Sequence, residues 1–391
     1  MSIKDQAMIQ ENQHETYMAL ALAEARKGLG RTSPNPAVGA LLVRDGVILG
    51  CGFHKKVGTP HAEVNALADA RLAGHDPHGA TMYVTLEPCN HSGRTPPCTQ
   101  AILDAGIAEV YIGTRDPNAQ VAGGGADFLA ANGVQVTLNI LRKKCRQLIL
   151  PFAKHQRSGM PWVLMKAGMS LDANITLQKG QGCAITGPDA SRYVHRLRNQ
   201  LDAILVGAGT AVIDDPSLTT RLEEAGGEGR DPLRIVLDSR LRLAPDCRML
   251  RQRSTSNTWI FCRNDADPVK EERLRQAGVQ VIRLTDETRD GAGLNLRQVL
   301  LHLGQAGITS LLVEGGAQVH GSFLTEGLVD EVALILAPYF IGDTGTPLVQ
   351  GYSRSLTKGP PNLCHTHTEQ LGRDLLVHGY FTDPDSLFPQ P

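Results

Sequence analysis

Apolar residues in the first part of the chain switch between helical and alternating spacing, and the switches mark out its elements. Glu15 to Lys27 places Met18, Leu20, Ala21 and Ala25 on a partly apolar helix that stops at Gly28. Thr32-Ser33-Pro34-Asn35-Pro36 holds two prolines, which bar helix and predict an extended loop. Val38 to Val43 and Val47 to Phe53 are apolar runs joined by Arg44-Asp45-Gly46, a hairpin signal. Beyond His61, residues Val64, Leu67, Ala68 and Leu72 recur at helical spacing, so His61 and Glu63 fall in the first turn of an amphipathic helix. Thr81 to Leu86 alternates as a strand, with Met82, Val84 and Leu86 on one face. A helix beginning at Pro88-Cys89, a loop from Asn90 to Pro97, a helix from Thr99 to Ala105 and a strand from Glu109 to Gly113 are expected next. Strands alternating with helices predict a three-layer α/β domain.

Leu141 to Pro161 is rich in Lys, Arg and Gln and contains Pro151, Gly159 and Pro161. It reads as a short helix and a linker, dividing the chain into domains at 1–150 and 151–391. A second α/β pattern follows. Its strands are expected at Trp162–Lys166, Ile204–Gly207, Leu233–Leu237, Thr258–Cys262, Val279–Ile282, Ser310–Val313, Val332–Leu336 and Asp374–Phe381. Helices are expected at Ala190–Gln200, Asn295–Gln305 and Gln318–Glu326.

Length supports this division, since 391 residues fit two or three domains of about 100–200 each. A net charge of −1 and 4% aromatic residues supply no electrostatic or stacking case for a nucleic-acid partner, and the charge gives none for a membrane surface. Met1 to Glu15 is polar and acidic, unlike a signal peptide, and no apolar run nears the roughly 18 residues of a membrane span. The eight cysteines are therefore read as reduced thiols of a cytoplasmic protein.

Chemistry concentrates between His61 and Cys98. His61-Ala62-Glu63 is followed by Glu87-Pro88-Cys89 and by Thr95-Pro96-Pro97-Cys98. One imidazole and two thiols suit tetrahedral zinc with its fourth position open to water. Water bound there ionises near neutral pH, and a carboxylate that is not a ligand can carry its proton, the task expected of Glu63. Nucleobase-type zinc deaminases use H-x-E followed by P-C-x-x-C. Here eight residues separate the cysteines instead of two. A structural zinc knuckle is the competing reading, but such sites are usually closed by four side chains. Asn35, held between prolines, can either cap its loop or hydrogen-bond a pyrimidine edge. In the second half, Leu312-Val313-Glu314-Gly315-Gly316 leads from strand into helix, a geometry that offers free amides to a phosphate. It is not G-x-G-x-x-G, so an ordinary dinucleotide fingerprint is absent.

His61-Ala62-Glu63 with Pro88-Cys89-Asn90-His91-Ser92-Gly93-Arg94-Thr95-Pro96-Pro97-Cys98 resembles the deaminase half of the bifunctional riboflavin-biosynthesis deaminase–reductase family. In that family the eight-residue gap is the rule. Thr32 to Gly39 and Asp116-Pro117-Asn118 resemble its stretches near the pyrimidine. Lys166 to Asp172, Ile185-Thr186-Gly187, Gly207 to Arg221, Ile235 to Ser239 and the Gly-Gly turn resemble its reductase half. The resemblance spans nearly the whole chain from about residue 16, with the deaminase half first.

That resemblance implies a cytidine-deaminase-like three-layer domain followed by a dihydrofolate-reductase-like domain. It implies zinc on His61, Cys89 and Cys98, with Glu63 as the catalytic proton carrier. The substrate class is a pyrimidinone with a phosphoribosylamino arm, which loses its 2-amino group as ammonia. NADPH then delivers hydride to the opened C1 of the ribosyl arm. Gly168, Ala184, Thr210, Asp214, Ser239 and the turn Gly316, Ala317, Gln318, Val319, His320, Gly321 and Ser322 are expected to hold NADPH. Asn35, Gly182, Arg198, Leu218, Arg221 and Glu314 are expected to hold substrate. The expected assembly is a homo-oligomer. The sequence departs from the family at Ala184, where Trp is usual, at Gly182, where Ser is usual, and at Ala173, where Gly is usual. The competing function is a nucleoside or tRNA deaminase fused to an unrelated oxidoreductase, and a non-enzymatic alternative keeps zinc only for stability. Replacing Glu63 separates them.

Overall fold

The computed structural model describes residues 3–91, 96–118, 124–222, 229–285, 293–352 and 361–388, with side chains from residue 12 onward. Contacts divide the chain into two units. Met1–Ser158 with Pro384–Pro391 forms the first, and Gly159–Asp383 forms the second.

The first unit contains α1 (Ile3–Arg26), β1 (Gly39–Arg44), β2 (Val47–Phe53), α2 (Ala62–Leu72), β3 (Thr81–Val84), α3 (Cys98–Asp104), β4 (Glu109–Ile112), α4 (Gly125–Ala131), β5 (Gln135–Leu138), α5 (Arg142–Leu148) and α6 (Leu150–Ser158). Its sheet runs β2-β1-β3-β4-β5, antiparallel at β2-β1-β3 and parallel onward. The hairpin forms where Asp45 and Gly46 both take positive φ, which a two-residue turn between twisted strands requires. α2, α3 and α4 share one face of the sheet, and α1 and α5 share the other, giving three layers.

Several expectations are corrected. α1 begins at Ile3 instead of Glu15, because its first turns are polar and carry no apolar stripe to read. β3 ends at Val84, and Tyr83 is as buried as Met82 and Val84, so this central strand is covered on both faces. No helix begins at Pro88-Cys89, where the chain is an irregular turn. The expected loop from Asn90 to Pro97 falls partly on residues 92–95, outside the described residues. The stretch read as a short helix and linker contains two helices, α5 and α6, and both belong to the first unit.

α2 shows how the backbone sets the site. Its buried face is Ala62, Glu63, Ala66, Leu67 and Ala70, while Leu72 is exposed. Of the predicted stripe only Leu67 is buried; Val64 is half-buried, Ala68 and Leu72 are exposed, and alanines take their place on the contact face. Opposite the alanines lie Gly50 and Gly52 of β2. A β-carbon on Gly52 would stand 2.4 Å from the Ala66 nitrogen, and one on Gly50 2.6 Å from the Ala66 oxygen. Alanine against glycine lets α2 rest on the strand itself. Asn65 Nδ2 then donates to the carbonyls of Phe53, at 2.8 Å, and Pro60, at 3.1 Å, bracing the helix start.

The second unit contains β6 (Trp162–Ser170), β7 (Asn174–Thr176), α7 (Pro188–Gln200), β8 (Ala203–Gly207), α8 (Ala208–Asp214), β9 (Leu233–Leu237), α9 (Arg248–Arg251), β10 (Thr258–Arg263), α10 (Pro268–Gln276), β11 (Gln280–Leu284), α11 (Leu296–Gln305), β12 (Ser310–Gly315), α12 (Ala317–Thr325), β13 (Glu331–Ala337), β14 (Thr346–Pro347), β15 (Cys364–Leu371) and β16 (Asp374–Tyr380). Among the described residues, nine strands run β11-β10-β9-β8-β12-β6-β13-β16-β15, parallel from β11 to β13 and antiparallel beyond. α7 to α10 pack on one face, α11 and α12 on the other. Among the described residues, no helix is long and apolar enough to cross a membrane.

Candidate active sites

His61 caps the start of α2, Cys89 lies in the turn after β3, and Cys98 opens α3. Their ligand atoms all lie within 4.8 Å of one another. His61 Nδ1 stands 3.6 Å from Cys89 Sγ and 3.3 Å from Cys98 Sγ. Bonds of about 2.0 Å to nitrogen and 2.3 Å to sulfur at a tetrahedral angle separate those atoms by about 3.5 Å, so the donor set fits zinc. The amide support expected from a helix at Cys89 comes from α3 instead, because the Cys98 N–H points at Cys89 Sγ at 3.4 Å.

Hydrogen bonds from Cys98 and His61 hold Cys89 down at about 4, as a thiolate. The hydrogen bond with Cys89, and after it burial, push Cys98 up. A dication among these groups favours thiolate at both. Glu63 is 3% exposed and its carboxyl is pushed up to about 7, first by burial and then by the Cys89 charge. It hydrogen-bonds to Cys98, so it faces the donor set without belonging to it. Asn35 makes a 3.1 Å side-chain contact to His54 Nε2, and His54 Nδ1 lies 3.2 Å from the Pro60 carbonyl, so Asn35 is tied to the start of α2.

In the second unit a cavity of about 1370 Å³ opens at the carboxyl ends of β6, β12, β8 and β9. Glu314 of β12 stands between two cations. Arg198 grips it in a fork at 2.8 and 2.9 Å, and Lys166 Nζ donates at 3.1 Å. Burial alone would raise this carboxyl, but Arg198 and Lys166 outweigh burial and hold it well below the usual range. At the next turn Gly315 and Gly316 take positive φ, and a β-carbon on Gly316 would lie 2.8 Å from Thr210 Oγ1. The N-terminus of α12 has no side-chain cap and lines the cavity, leaving its amides for an anion.

Comparison with known proteins shows what carries these sites. Residues 161–377 match the model of the RibD C-terminal domain, and residues 11–114 match that of the cytidine and deoxycytidylate deaminase zinc-binding region. The chain is 39% identical to a riboflavin biosynthesis protein RibD of Bacillus amyloliquefaciens, covering 92% of this chain and 94% of that protein. It is 38% identical to RibD of Escherichia coli, covering 94% and 99%. This chain belongs to the RibD family of riboflavin biosynthesis proteins. It is a bifunctional deaminase and reductase. A crystal structure of a diaminohydroxyphosphoribosylaminopyrimidine deaminase/5-amino-6-(5-phosphoribosylamino)uracil reductase from Thermotoga maritima superposes with a TM-score of 0.82 at 35% identity, over 95% of this chain and 99% of that one. Acinetobacter baumannii RibD superposes at 0.81 with 32% identity, over the same shares. The fold is thus a cytidine-deaminase-like domain followed by a dihydrofolate-reductase-like one.

The expected reductase residues do not all meet at the cavity. Gly168, Ala184, Thr210, Asp214, Ser239, Gly316, Ala317, Gln318, Val319, His320 and Ser322 line it, as do Arg198, Leu218 and Glu314. Gly321 is outside the lining and packs on Gln350, whose oxygen would lie 1.9 Å from a β-carbon there. Gly182 is outside it too, and a β-carbon there would meet Asp214 Oδ1 at 2.0 Å. The serine usual in the family therefore does not fit beside this Asp214 placement. Arg221 also lies off the cavity, its backbone N–H donating to His195 Nδ1 at 3.1 Å. Leu218 is buried with φ at +53, a strained conformation for a bulky residue.

Sequence reasoning assigned no role to Lys166, although its stretch was matched. The lysine is separated from Glu314 by 148 positions, and only the adjacency of β6 and β12 joins them. His195 was also missed. It is pushed down to about 4 by burial and by Arg198 and Arg221, so it is neutral between two guanidinium groups.

Proposed function

We propose that the first unit deaminates a diaminopyrimidinone bearing a phosphoribosylamino arm, and that the second reduces that arm with NADPH to the ribityl product. The observation carrying the first half is the triangle of His61 Nδ1, Cys89 Sγ and Cys98 Sγ with buried Glu63 against it. These three side chains would hold zinc, and zinc supplies a Lewis acid beside which water ionises near neutral pH. Glu63, with its carboxyl near 7, takes the proton from the attacking water. It then returns protons to the ring nitrogen and the departing amine, so ammonia leaves and a uracil remains. Asn35 holds the pyrimidine edge.

For the second half, the uncapped α12 terminus and the Gly315-Gly316 turn suit a pyrophosphate, and the remaining lining from Gly168 to Ser239 suits the rest of NADPH. NADPH supplies the hydride. Lys166, Arg198 and Glu314 form a fixed charged group at one end of the cavity and orient the ribosyl arm. Arg198 spends its Nε and one terminal nitrogen on Glu314 and another contact on the Thr219 carbonyl, so its first task is to hold Glu314. The eight free cysteines suit the reducing cytoplasm. A homo-oligomer is the proposed assembly, tested by light scattering.

Two half-reactions test the proposal. Chelating zinc is expected to stop ammonia release while NADPH oxidation with the deaminated substrate continues. Equal use of NADH would refute the cofactor assignment, and ammonia release without zinc would refute the first half.

A further inference from the structure

Glu87 has no part in the proton chemistry above, yet its carboxylate is buried, only 6% exposed, in the turn that carries Cys89. Its two oxygens serve two backbone segments, one ending at Asn118 and one beginning at Gly124. Oε2 accepts the Asp116 N–H at 3.2 Å, and Oε1 accepts the Ala126 N–H at 3.0 Å. The Glu87 N–H donates to the Thr114 carbonyl at 2.9 Å. Arg115 Nη1 lies 3.8 Å from Oε1 and supplies the nearest cation.

The second of these segments lies against the zinc-ligand turn. A β-carbon on Gly125 would stand 1.9 Å from the Pro88 oxygen, and one on Gly124 3.3 Å from the Asn90 amide nitrogen. Asp116 lies within electrostatic reach of Cys89 and His91, and its Oδ1 accepts the Asn118 N–H at 2.9 Å. Asp116 to Asn118, through the Asp116 N–H, and Gly124 to Ala126, through the Ala126 N–H and the packing on Pro88, are therefore both fastened to the turn that carries Cys89, and Glu87 joins them. The two N–H donors meet different oxygens of Glu87, and an amide offers an acceptor at only one of those two positions.

We propose that Glu87 is a positioning residue for deamination, whose buried carboxylate sets Asp116 to Asn118 against the pyrimidine without touching metal or substrate. The inference leaves the roles of zinc and Glu63 unchanged, so their failure and its failure are separable.

Glu87→Gln in the full-length, zinc-loaded protein is the test. Glutamine keeps the shape but turns an N–H₂ toward one of the two backbone amides. One zinc per chain is expected to remain, KM for the pyrimidine to rise by about tenfold, and kcat to change far less. Amide hydrogen exchange is expected to quicken at residues 115–118 or 125–128. NADPH oxidation with the deaminated substrate is expected to be unchanged. Unchanged KM and exchange would overturn the proposal. Zinc loss with collapse of kcat would also overturn it, by making Glu87 a support of the ligand turn alone. Glu87→Asp keeps both oxygens on a shorter arm and is expected to fall between wild type and Gln. An Asp variant as impaired as Gln would assign the effect to volume and refute the role of the oxygens.

Discussion

Replacing Glu63 with Gln perturbs rate and stability in opposite directions, which makes it the sharpest test of the deaminase site. The side chain is 3% exposed, and its carboxyl sits near 7 instead of 4.5. A carboxyl raised by that amount in the fold opposes folding once the pH exceeds its unfolded value. The penalty grows from pH 4.5 and levels off above 7, at about 3 kcal/mol. Glutamine has no charge to desolvate, so the zinc-free variant is expected to be more stable than wild type by up to that amount at pH 8. Zinc would reduce the difference by compensating the charge. The rate moves the other way. General acid–base catalysis contributes about 10²–10⁴-fold, and one carboxyl here serves both removal and return of protons, so kcat is expected to fall by about 10⁴-fold. Ammonia release at pH 7.5, zinc content by mass spectrometry and melting with and without chelator measure all three quantities. A variant that keeps more than about 1% of the rate, or that loses zinc along with activity, would refute Glu63 as the proton carrier.

Other perturbations address the remaining features. Cys98→Ser is expected to abolish stoichiometric zinc while leaving NADPH oxidation intact, as elemental analysis and the two half-assays would report. Glu314→Gln leaves Arg198 and Lys166 without their anion, and the second unit is expected to lose about 3–5 kcal/mol in denaturant titration. His195 and His320 are both held near 4 by burial first, with cations adding to it, so each stays neutral in the fold. Stability is therefore expected to fall as pH drops from about 6.5 towards 4, by roughly 3 kcal/mol per imidazole, and His195→Gln should flatten that slope in pH-dependent melting. Ala173 adopts φ of +59, where the family usually has glycine. Ala173→Gly is expected to raise stability by about 1 kcal/mol, read from the shift in the chemical-denaturation midpoint, because an L side chain is disfavoured there.

The gathering of His61, Cys89 and Cys98 was legible from sequence because the chemistry it suits rests on residue type. Histidine, two cysteines and an acid two residues from the histidine have few other reasons to appear together. The elements carrying them were legible where a turn signal joined two apolar runs, as Asp45-Gly46 joins β1 and β2, although β1 is buried on both faces. They were misread where alternation was expected of a two-sided strand or where burial used small residues. Tyr83 broke the expected alternation because β3 is central, and the alanines of α2 left little hydrophobic signal although they form its contact face. β15 was missed because its residues are polar and largely exposed, and it is held by backbone pairing with β16. The reductase residues were legible only by likeness to a family. Glycines, single arginines and an isolated lysine state no chemistry until the sheet order joins Lys166, Arg198 and Glu314.

The close seat of α2 on Gly50 and Gly52 has a mechanical consequence. A helix cushioned by long side chains can tilt as those chains change rotamer, whereas one resting on bare strand cannot. His61 and Glu63 therefore ride with the sheet as one stiff piece. Warming should loosen the surface long before it changes the spacing between ligand and acid. The deaminase rate should then follow a single activation slope until the unit itself melts.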